Sequence, residues 1–539
     1  MIFGFSNSSI SSTIIASLAF LYATTSLYLF VHYDEIIQQK EIKYKAIEDK
    51  QYITETGRNS RVESVTNAIH HAWSGYSTYA LDADELLPIS RTGQNNWGHL
   101  QWTLVDSLDT LYIAGLHQDL KHARDHLAKA SFNQNSVVST FEMTIRLLGG
   151  TLSTYELTKD PFYLSIAESI GNKVLGAFGA KSGIPAKSVH MIFGHPSLLG
   201  LFQTRVQSLV GAGSLQLELS NLSYHTGKTK YAKAGRDAIS ALAKAQRLAS
   251  ETYATTRNEN LKKLYPMMYN IDSGEHLENS LYFTMGSGAD SFYEYLLKLY
   301  ILEGCRDEEL LNLYVNAMDN MMEFLVKDFD INGESASILV DQYEGYTIKR
   351  MNHLACFVPG MLALGAFYGK THNIPVLLER YDDHMRVSRQ LMKTCVYFYT
   401  SQPTGLSAEE YKWVTYQAES LVPISTSTDY RLRPETVESL FILYRVTGDS
   451  RYREIGWEIF QSIEKHCRTD IAYASVKDVT KIPVEHEDKM ESFMISETLK
   501  YLQLLFSDED ILSLDKYVFT TEAHPLAIHD HDTTEKKVT

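Results

Sequence analysis

The chain opens apolar and then turns amphipathic. Residues 1–33 hold no Asp, Glu, Lys or Arg, and Thr13 to Val31 (TIIASLAFLYATTSLYLFV) is long enough to cross a bilayer as one helix. A cleaved signal peptide carries a basic start and a shorter apolar core. Neither occurs here, so an uncleaved anchor is expected. Lys40 is the first basic residue and follows Asp34 and Glu35, which leaves the positive-inside rule nearly silent. Residues 33–62 are charged and lack apolar periodicity. From about residue 63 the period becomes helical, as in FEMTIRLLGGTLSTYEL, DSFYEYLLKLYIL, ETVESLFILYRV and MESFMISETLKYLQLLF. Convincing strand runs are few, and a content of only 12 prolines suits long helices.

The helical pattern also echoes itself. Tyr155-Glu-Leu-Thr158 leads to Tyr163, Tyr224-His-Thr226-Gly227 to Tyr231, and Tyr444-Arg-Val-Thr447-Gly448 to Tyr452. Each time a helix ends in a short polar turn, often at Gly, and another begins. Helix–turn–helix units can stack as an open solenoid or close into a ring. Their irregular length favours a closed α/α barrel. The expected layout is a short cytosolic tail over 1–10, a transmembrane signal anchor over 11–32 and a stem over 33–62. An all-α barrel follows over 63–526, with a flexible tail over 527–539. The terminal KKVT would act as a retrieval signal only on the cytosolic side, so it is taken as a charged tail.

At 539 residues the chain can bury a sizeable core. Its 34 tyrosines suit sugar clefts and large helical cores alike, and most are assigned to the core. A net charge of −16 argues against nucleic acid. It fits an acidic surface or a carboxylate-lined cleft. The four cysteines, Cys305, Cys356, Cys395 and Cys467, form no CxxC pair, against a zinc or thioredoxin-type site. One disulfide is expected in an oxidising compartment, with its partners open. Sequons occur at Asn7, on the expected cytosolic side, and at Asn221, where the helical pattern argues against use.

Strongly apolar helices carry acids beside aromatics. Glu142 sits four before Arg146, Asp290 four before Glu294, and Glu435 three before Glu438, just after Arg433. Glu491 precedes Phe493 and Glu497, and Glu218 lies in SLQLELS. Spacings of three or four put both groups of a pair on one helix face. A single pair reads as a solvated face or a charge at a helix N-terminus. Five such segments beside Phe, Tyr, Leu and Ile need another account, because an ionised group in an apolar lining needs a partner or a purpose. Two carboxylates for acid/base work, with Arg to orient, are the tools of glycoside hydrolysis. A cation that prefers oxygen ligands, calcium or magnesium, would offset the crowded charge.

Together these segments resemble glycoside hydrolase family 47, the class I α-1,2-mannosidases, from about Ala72 to Leu526. Nine ordered stretches carry the resemblance: AWSGYSTYALDADELLP, VDSLDTLYIAGL, FEMTIRLLGG, GSLQLELS, ADSFYEYLLK, HLACFVPG, LRPETVESLF, ESFMISETLKY and FTTEAHPL. The resemblance implies an (α/α)7 barrel and inverting, Ca2+-dependent hydrolysis of terminal α-1,2-linked mannose on high-mannose N-glycans. It implies Glu142 as general acid, directly or through a water, Glu435 as base, and Asp290 as a third catalytic carboxylate. Glu409, or the adjacent Glu410, matches a further family acid in GLSAEE. Thr521 matches the calcium ligand, with metal-bound waters held by Glu438, Glu497 and Glu522. Phe493 would stack on the sugar, and Arg146, Glu218, Glu294, Leu354 and Arg433 would also line the pocket. Cys356 and Cys395 match the family disulfide, which leaves Cys305 and Cys467 as buried free thiols.

Three positions depart from the family pattern. Asn352 stands where Asp usually precedes His-Leu, Thr520 where Asn precedes the calcium Thr, and Gly288 where endoplasmic-reticulum members carry Arg two residues before the catalytic Asp. The branch preference is therefore left open. The implied protein is a monomer, single-pass type II, in the endoplasmic reticulum or Golgi membrane with its barrel luminal. A mannose-binding quality-control relative with little turnover is the alternative, and retention of Glu142, Asp290 and Glu435 weighs against it. A helical membrane scaffold would need no acids inside apolar helices and ranks last.

Overall fold

The computed structural model describes residues 55–195, 205–253, 264–277, 281–331, 333–416 and 420–530. The apolar run Thr13–Val31, the Asn7 sequon and the KKVT tail lie outside them. The first described helix, Glu55–Tyr79, starts ahead of residue 63, so part of the expected stem is helical.

Two kinds of helix alternate along the chain. One kind is buried on all sides. These are α1 (Trp102–Ile113), α2 (Gly149–Thr158), α3 (Gln216–Thr226), α4 (Asp290–Leu302), α5 (Val358–Thr371), α6 (Glu435–Thr447) and α7 (Lys500–Phe506). Every residue of α4 from Ser291 to Leu302 is buried, as expected of a helix that is apolar all round. The other kind has one apolar stripe. Arg451–His466 buries only Gly456, Ile459, Phe460, Ile463 and His466, at helical spacing.

Each inner helix touches the next, from α1 through α7, and the π-helical turn Met494–Leu499 ahead of α7 returns to α1. The inner set is therefore a closed ring, with the one-sided helices packed outside it. The three echoes are inner-to-outer turns. α2, α3 and α6 end at Lys159, Gly227 and Gly448, all in the left-handed region, and outer helices restart at Pro161, Lys230 and Arg451. A left-handed C-terminal residue lets the chain leave the helix and satisfy its last carbonyls. α5 with its lead-in, His353–Thr371, is long and apolar enough to cross a membrane, but most of it is buried inside the protein.

Among the described residues, eight small antiparallel sheets sit between the helices. The sequence pattern did not show them: most of the strands are two or three residues long, too short for alternation to register, and the longer ones, of six to eight residues, form just two hairpins among the described residues. The longest hairpin, Glu410–Tyr416 with Ser420–Ser427, pairs on its other edge with Arg350–Asn352.

Cys356 and Cys395 form a disulfide between the start of the α5 segment and the outer helix Tyr381–Thr400. Cys467 is a buried free thiol, whereas Cys305 is only half-buried. Asn221 is fully buried and its amide donates to Glu156 at 3.2 Å, so the folded chain offers no glycosylation site there.

The disulfide closes a loop with a sequence separation of 39. Its removal in Cys395→Ser should lower unfolding free energy by roughly 4 kcal/mol on the chain-entropy account, measured by urea unfolding without reductant. No change in the midpoint would contradict this.

Candidate active site

Three of the acids singled out by sequence occupy equivalent places. Glu142 lies in the first turn of the short helix Thr140–Glu142, Asp290 is the first residue of α4 and Glu435 the first of α6. The positive end of a helix dipole favours a carboxylate there. All three line one cavity of about 400 Å³. Arg146, Glu294, Leu354, Arg433, Glu438, Phe493, Glu497, Thr521 and Glu522 line the same cavity. Glu218 and Glu409 do not. Glu409 stands one step behind the lining residue Arg433, and Glu218 stands behind Tyr295, itself outside the lining.

Arg146 holds the acid side together. It lies on a π-helical turn, Met143–Leu148, a distortion that re-aims side chains at functional sites. Its Nε donates to Glu142 at 2.8 Å, and its Nη1 lies 2.7 Å from Glu522 and 2.6 Å from Ser492 Oγ. Arg433 faces it across Phe493. The two guanidinium carbons sit 5.7 Å and 5.5 Å from the Phe493 ring centroid. An aromatic ring gripped by two cations is a rigid apolar platform within a polar cleft. Glu409 orients Arg433 through a 2.8 Å contact to Nε. Neighbouring Glu410 turns away, to Arg350 and Thr426.

The electrostatics differ from acid to acid. Burial would push the Glu435 carboxyl up, but a 2.7 Å hydrogen bond from His353, the charge on that ring and Arg433 hold it below its ordinary value. Tyr399 and Thr436 lie 2.9 Å and 3.0 Å from the other ring nitrogen and fix the imidazole. Asp290 goes the other way. Burial, reinforced by Glu294 and Glu435, pushes it up to about 7. Burial also raises Glu218, Glu438, Glu497 and Glu522, with neighbouring acids adding to the shift.

Glu294, Glu438, Glu497 and Glu522 line the cavity together with Thr521. Lys298 meets Glu294 and Glu438 there. Tyr295 accepts from the Thr521 N–H at 3.2 Å and donates to Glu218 at 2.7 Å. The second Glu218 oxygen is buried without a hydrogen-bond partner. Excess buried carboxylate and an orphaned oxygen are what a hard cation would relieve. Among the described residues no cluster of His, Cys, Asp and Glu could hold a metal by itself. A cation here would take Thr521 and water, with the acids one shell out. The residues fit a metal on those terms.

Beneath the cavity lies a buried network that the sequence reading did not weigh. The His524 ring lies 2.8 Å from Asp109 and 3.1 Å from Asp106. Lys500 meets Asp109 at 2.9 Å and the Ala523 carbonyl at 2.9 Å, and Ser492 donates to Asp106. Burial alone would lower the His524 pKa, yet Asp109 and Asp106 raise it, while Lys500 and His524 carry Asp109 down to about 2. A side chain at Gly149 would meet the His524 ring at 2.8 Å, so glycine is required for the ring to lie against the helix. The acids at positions 106 and 109 are three apart in an apolar helix, the oddity already noted elsewhere, and could have been found by it.

The whole arrangement covers most of the chain, and so does the family match. Residues 68–528 fit the model of glycosyl hydrolase family 47. The chain belongs to that family. It is 39% identical over 479 residues to the endoplasmic reticulum mannosyl-oligosaccharide 1,2-alpha-mannosidase of Mus musculus, covering 87% of this chain and 68% of that protein. Identity to a mannosyl-oligosaccharide 1,2-alpha-mannosidase of Arabidopsis thaliana is 37%, with 87% and 79% covered. An alpha-1,2-mannosidase from Trichoderma reesei superposes with a TM-score of 0.78 at 27% identity, covering 87% of this chain and 99% of that one.

The departures from family 47 acquire physical reasons. Thr520 is fully buried, and its hydroxyl accepts the N–H groups of Glu522 and His524 at 3.3 Å and 3.1 Å, closing the turn itself. The Asn352 amide packs against Gly286, where a Cβ would approach it to 2.5 Å. Gly288 has φ +92°, and a side chain there would also meet Met267 at 3.0 Å. That wall of the cavity is shaped for no side chain.

Two tests follow. Lys500→Met leaves Asp109 short of a buried cation and should cost about 3–5 kcal/mol of stability, read by urea unfolding. A loss below the error of the fit would contradict it. Asp290 ionises near its ordinary value of about 4 when unfolded and near 7 in the fold. Between the two the unfolded state loses its proton first, so stability drains as pH rises and levels off above about 7. Asp290→Asn should match wild type near pH 4 and exceed it near pH 8. The same gain at both would count against this account.

Proposed function

We propose that this family 47 hydrolase is an inverting exo-α-1,2-mannosidase acting on terminal α-1,2-linked mannose of high-mannose N-glycans. The observation that carries the reading is Glu435. It is kept ionised by His353 and Arg433 while Asp290, on the same cavity wall, is pushed toward its protonated form. Environments that drive neighbouring carboxyls apart are how one site runs acid and base chemistry together.

The steps assign themselves to named atoms. Phe493, braced by Arg146 and Arg433, supports one face of the terminal sugar. Glu435 takes a proton from a water, whose oxygen attacks the anomeric carbon. The bond to the leaving oxygen breaks, and that oxygen takes a proton from Glu142, directly or through a second water. Arg146 orients Glu142, and Glu409 orients Arg433. Asp290 can donate a hydrogen bond to substrate below about pH 7. Ca2+ is the proposed cation at Thr521, where it would neutralise charge and order water and sugar hydroxyls.

The surrounding fold is proposed to be an (α/α)7 barrel, supported by the closed ring of seven inner helices. Homologues in the endoplasmic reticulum and a disulfide both support the secretory pathway. There the chain would act as a monomer, anchored by residues 11–32 in type II topology.

Glu435→Gln should fold with an unchanged melting temperature and lose mannose release from a nine-mannose glycan by about a thousandfold or more. Hydrolysis at the wild-type rate would sink the mechanism. Chelation by EDTA should abolish activity and lower the melting temperature, since a ligand bound only to the native state stabilises it. Added Ca2+ should restore both.

A further inference from the structure

The cavity is at the small end for a ligand pocket, at about 400 Å³. A terminal mannose and its neighbour fill it. The other rings of a branched glycan must rest on the surface outside, and among the described residues an exposed tyrosine row offers a place for them.

That surface is a three-stranded sheet of β1 (Tyr282–Phe283), β2 (Asp341–Tyr343) and β3 (Tyr346–Ile348), with β2 in the middle. Tyr343 pairs with Tyr282 on one side and with Tyr346 on the other. Directly opposed residues of neighbouring strands share a face. The three tyrosines therefore form one row across the sheet. With strands about 4.8 Å apart the row spans roughly 10 Å, the footprint of two sugar rings. On the opposite face Phe283 and Gln342 are buried, and only the outer Thr347 is exposed.

A surface tyrosine on a hairpin is ordinarily unremarked. Three features set this row apart. It stays open, with Tyr343 39% and Tyr346 73% exposed. Its inner end is fixed, since the Tyr282 hydroxyl donates to Asp341 and accepts from Arg350 at 2.6 Å. Its inner strand is also tied to the cavity wall through Met267. The Met267 N–H donates to the Tyr282 carbonyl at 3.0 Å, and the Met267 side chain abuts the space above Gly288, which lines the cavity. Met267 thus bridges Tyr282, at the inner end of the row, and the cavity-lining Gly288.

We propose that the Tyr282–Tyr343–Tyr346 row is a remote sugar-binding subsite that stacks an outer mannose arm of the glycan whose terminal residue occupies the cavity. Aromatic faces suit the apolar C–H faces of pyranose rings, and Arg350 and Asp341 beside the row can bond their hydroxyls. The proposal rests on the mannosidase reading above.

The test separates the two. Calorimetry on the full chain carrying Glu435→Gln measures affinity for a nine-mannose glycan without turnover. Tyr343→Ala with Tyr346→Ala should weaken it about tenfold, the scale of one lost aromatic contact. Tyr343→Phe with Tyr346→Phe should retain it, because the ring and not the hydroxyl stacks. On the otherwise wild-type chain, the alanine pair should leave kcat/KM for the disaccharide α-1,2-mannobiose within twofold, since that substrate is too short to reach the row. Unchanged glycan affinity in the alanine pair would overturn the subsite. So would an equal loss on the disaccharide, or a loss in the phenylalanine pair as large as in the alanine pair. Ring-dependent glycan binding in a chain that fails to cleave the disaccharide would uphold the subsite and fault the enzymatic reading instead.

Discussion

The site depends on one buried ionic contact, that of His524 with Asp106 and Asp109. The residues that flank the cavity's acidic end arrive on a short C-terminal hairpin, Tyr517–Phe519 with Pro525–Ala527. So small a hairpin has little stability of its own. His524 plugs it into α1, and Lys500 ties its Ala523 carbonyl to α7. Two cations and two carboxylates, all fully buried, offset one another's desolvation only while every partner is present. The arrangement is therefore all-or-none. It fixes Thr521 and Glu522, and through Ser492 and Asp106 it also fixes Arg146.

Above that balanced base the cavity is deliberately unbalanced. Glu218, Glu294, Glu438, Glu497 and Glu522 share the neighbourhood of Lys298 and Arg146, and burial raises four of these acids. A core designed for stability alone would not be built so. Strain of this kind gathers at functional sites and is compensated elsewhere, here by the network below and, on the proposed reading, by a cation at Thr521. Glu435 escapes the general rise because His353 and Arg433 serve it directly. That exception marks it out chemically.

Much of this was legible in the sequence. The repeated helix–turn–helix echoes, often ending at Gly, foretold a closed α/α ring. Acids at helical spacing in apolar surroundings foretold the cavity, and its lining includes Glu142, Asp290, Glu435, Glu438, Glu497 and Glu522. Cys356 and Cys395 came only with the family resemblance. Other parts were not legible. His353 is an ordinary histidine in one dimension, and only the fold brings it to Glu435 across 82 residues. Glu218 and Glu409 share the local signature of lining acids but stand behind Tyr295 and Arg433, because a period of three or four fixes a helix face and not its depth. Most strands of the small sheets are two or three residues long, too short to carry a period.

That last gap has a functional consequence. Asp290 and Glu435 open α4 and α6, and Glu142 sits in the short helix that leads through the π-helical turn into α2, so the ring itself brings three acids to one end. Their placement is a property of the helices and tolerates little change. The loops between helices, with their small sheets, build the wall and rim instead. Gly288, Gly286 against Asn352, and the tyrosine row all belong to them. Chemistry and selectivity thus reside in different layers of the same fold. On the proposed mechanism the helices hold the acids that cleave, while the short strands would vary which arm of a glycan is presented to them without disturbing Glu142, Asp290 or Glu435.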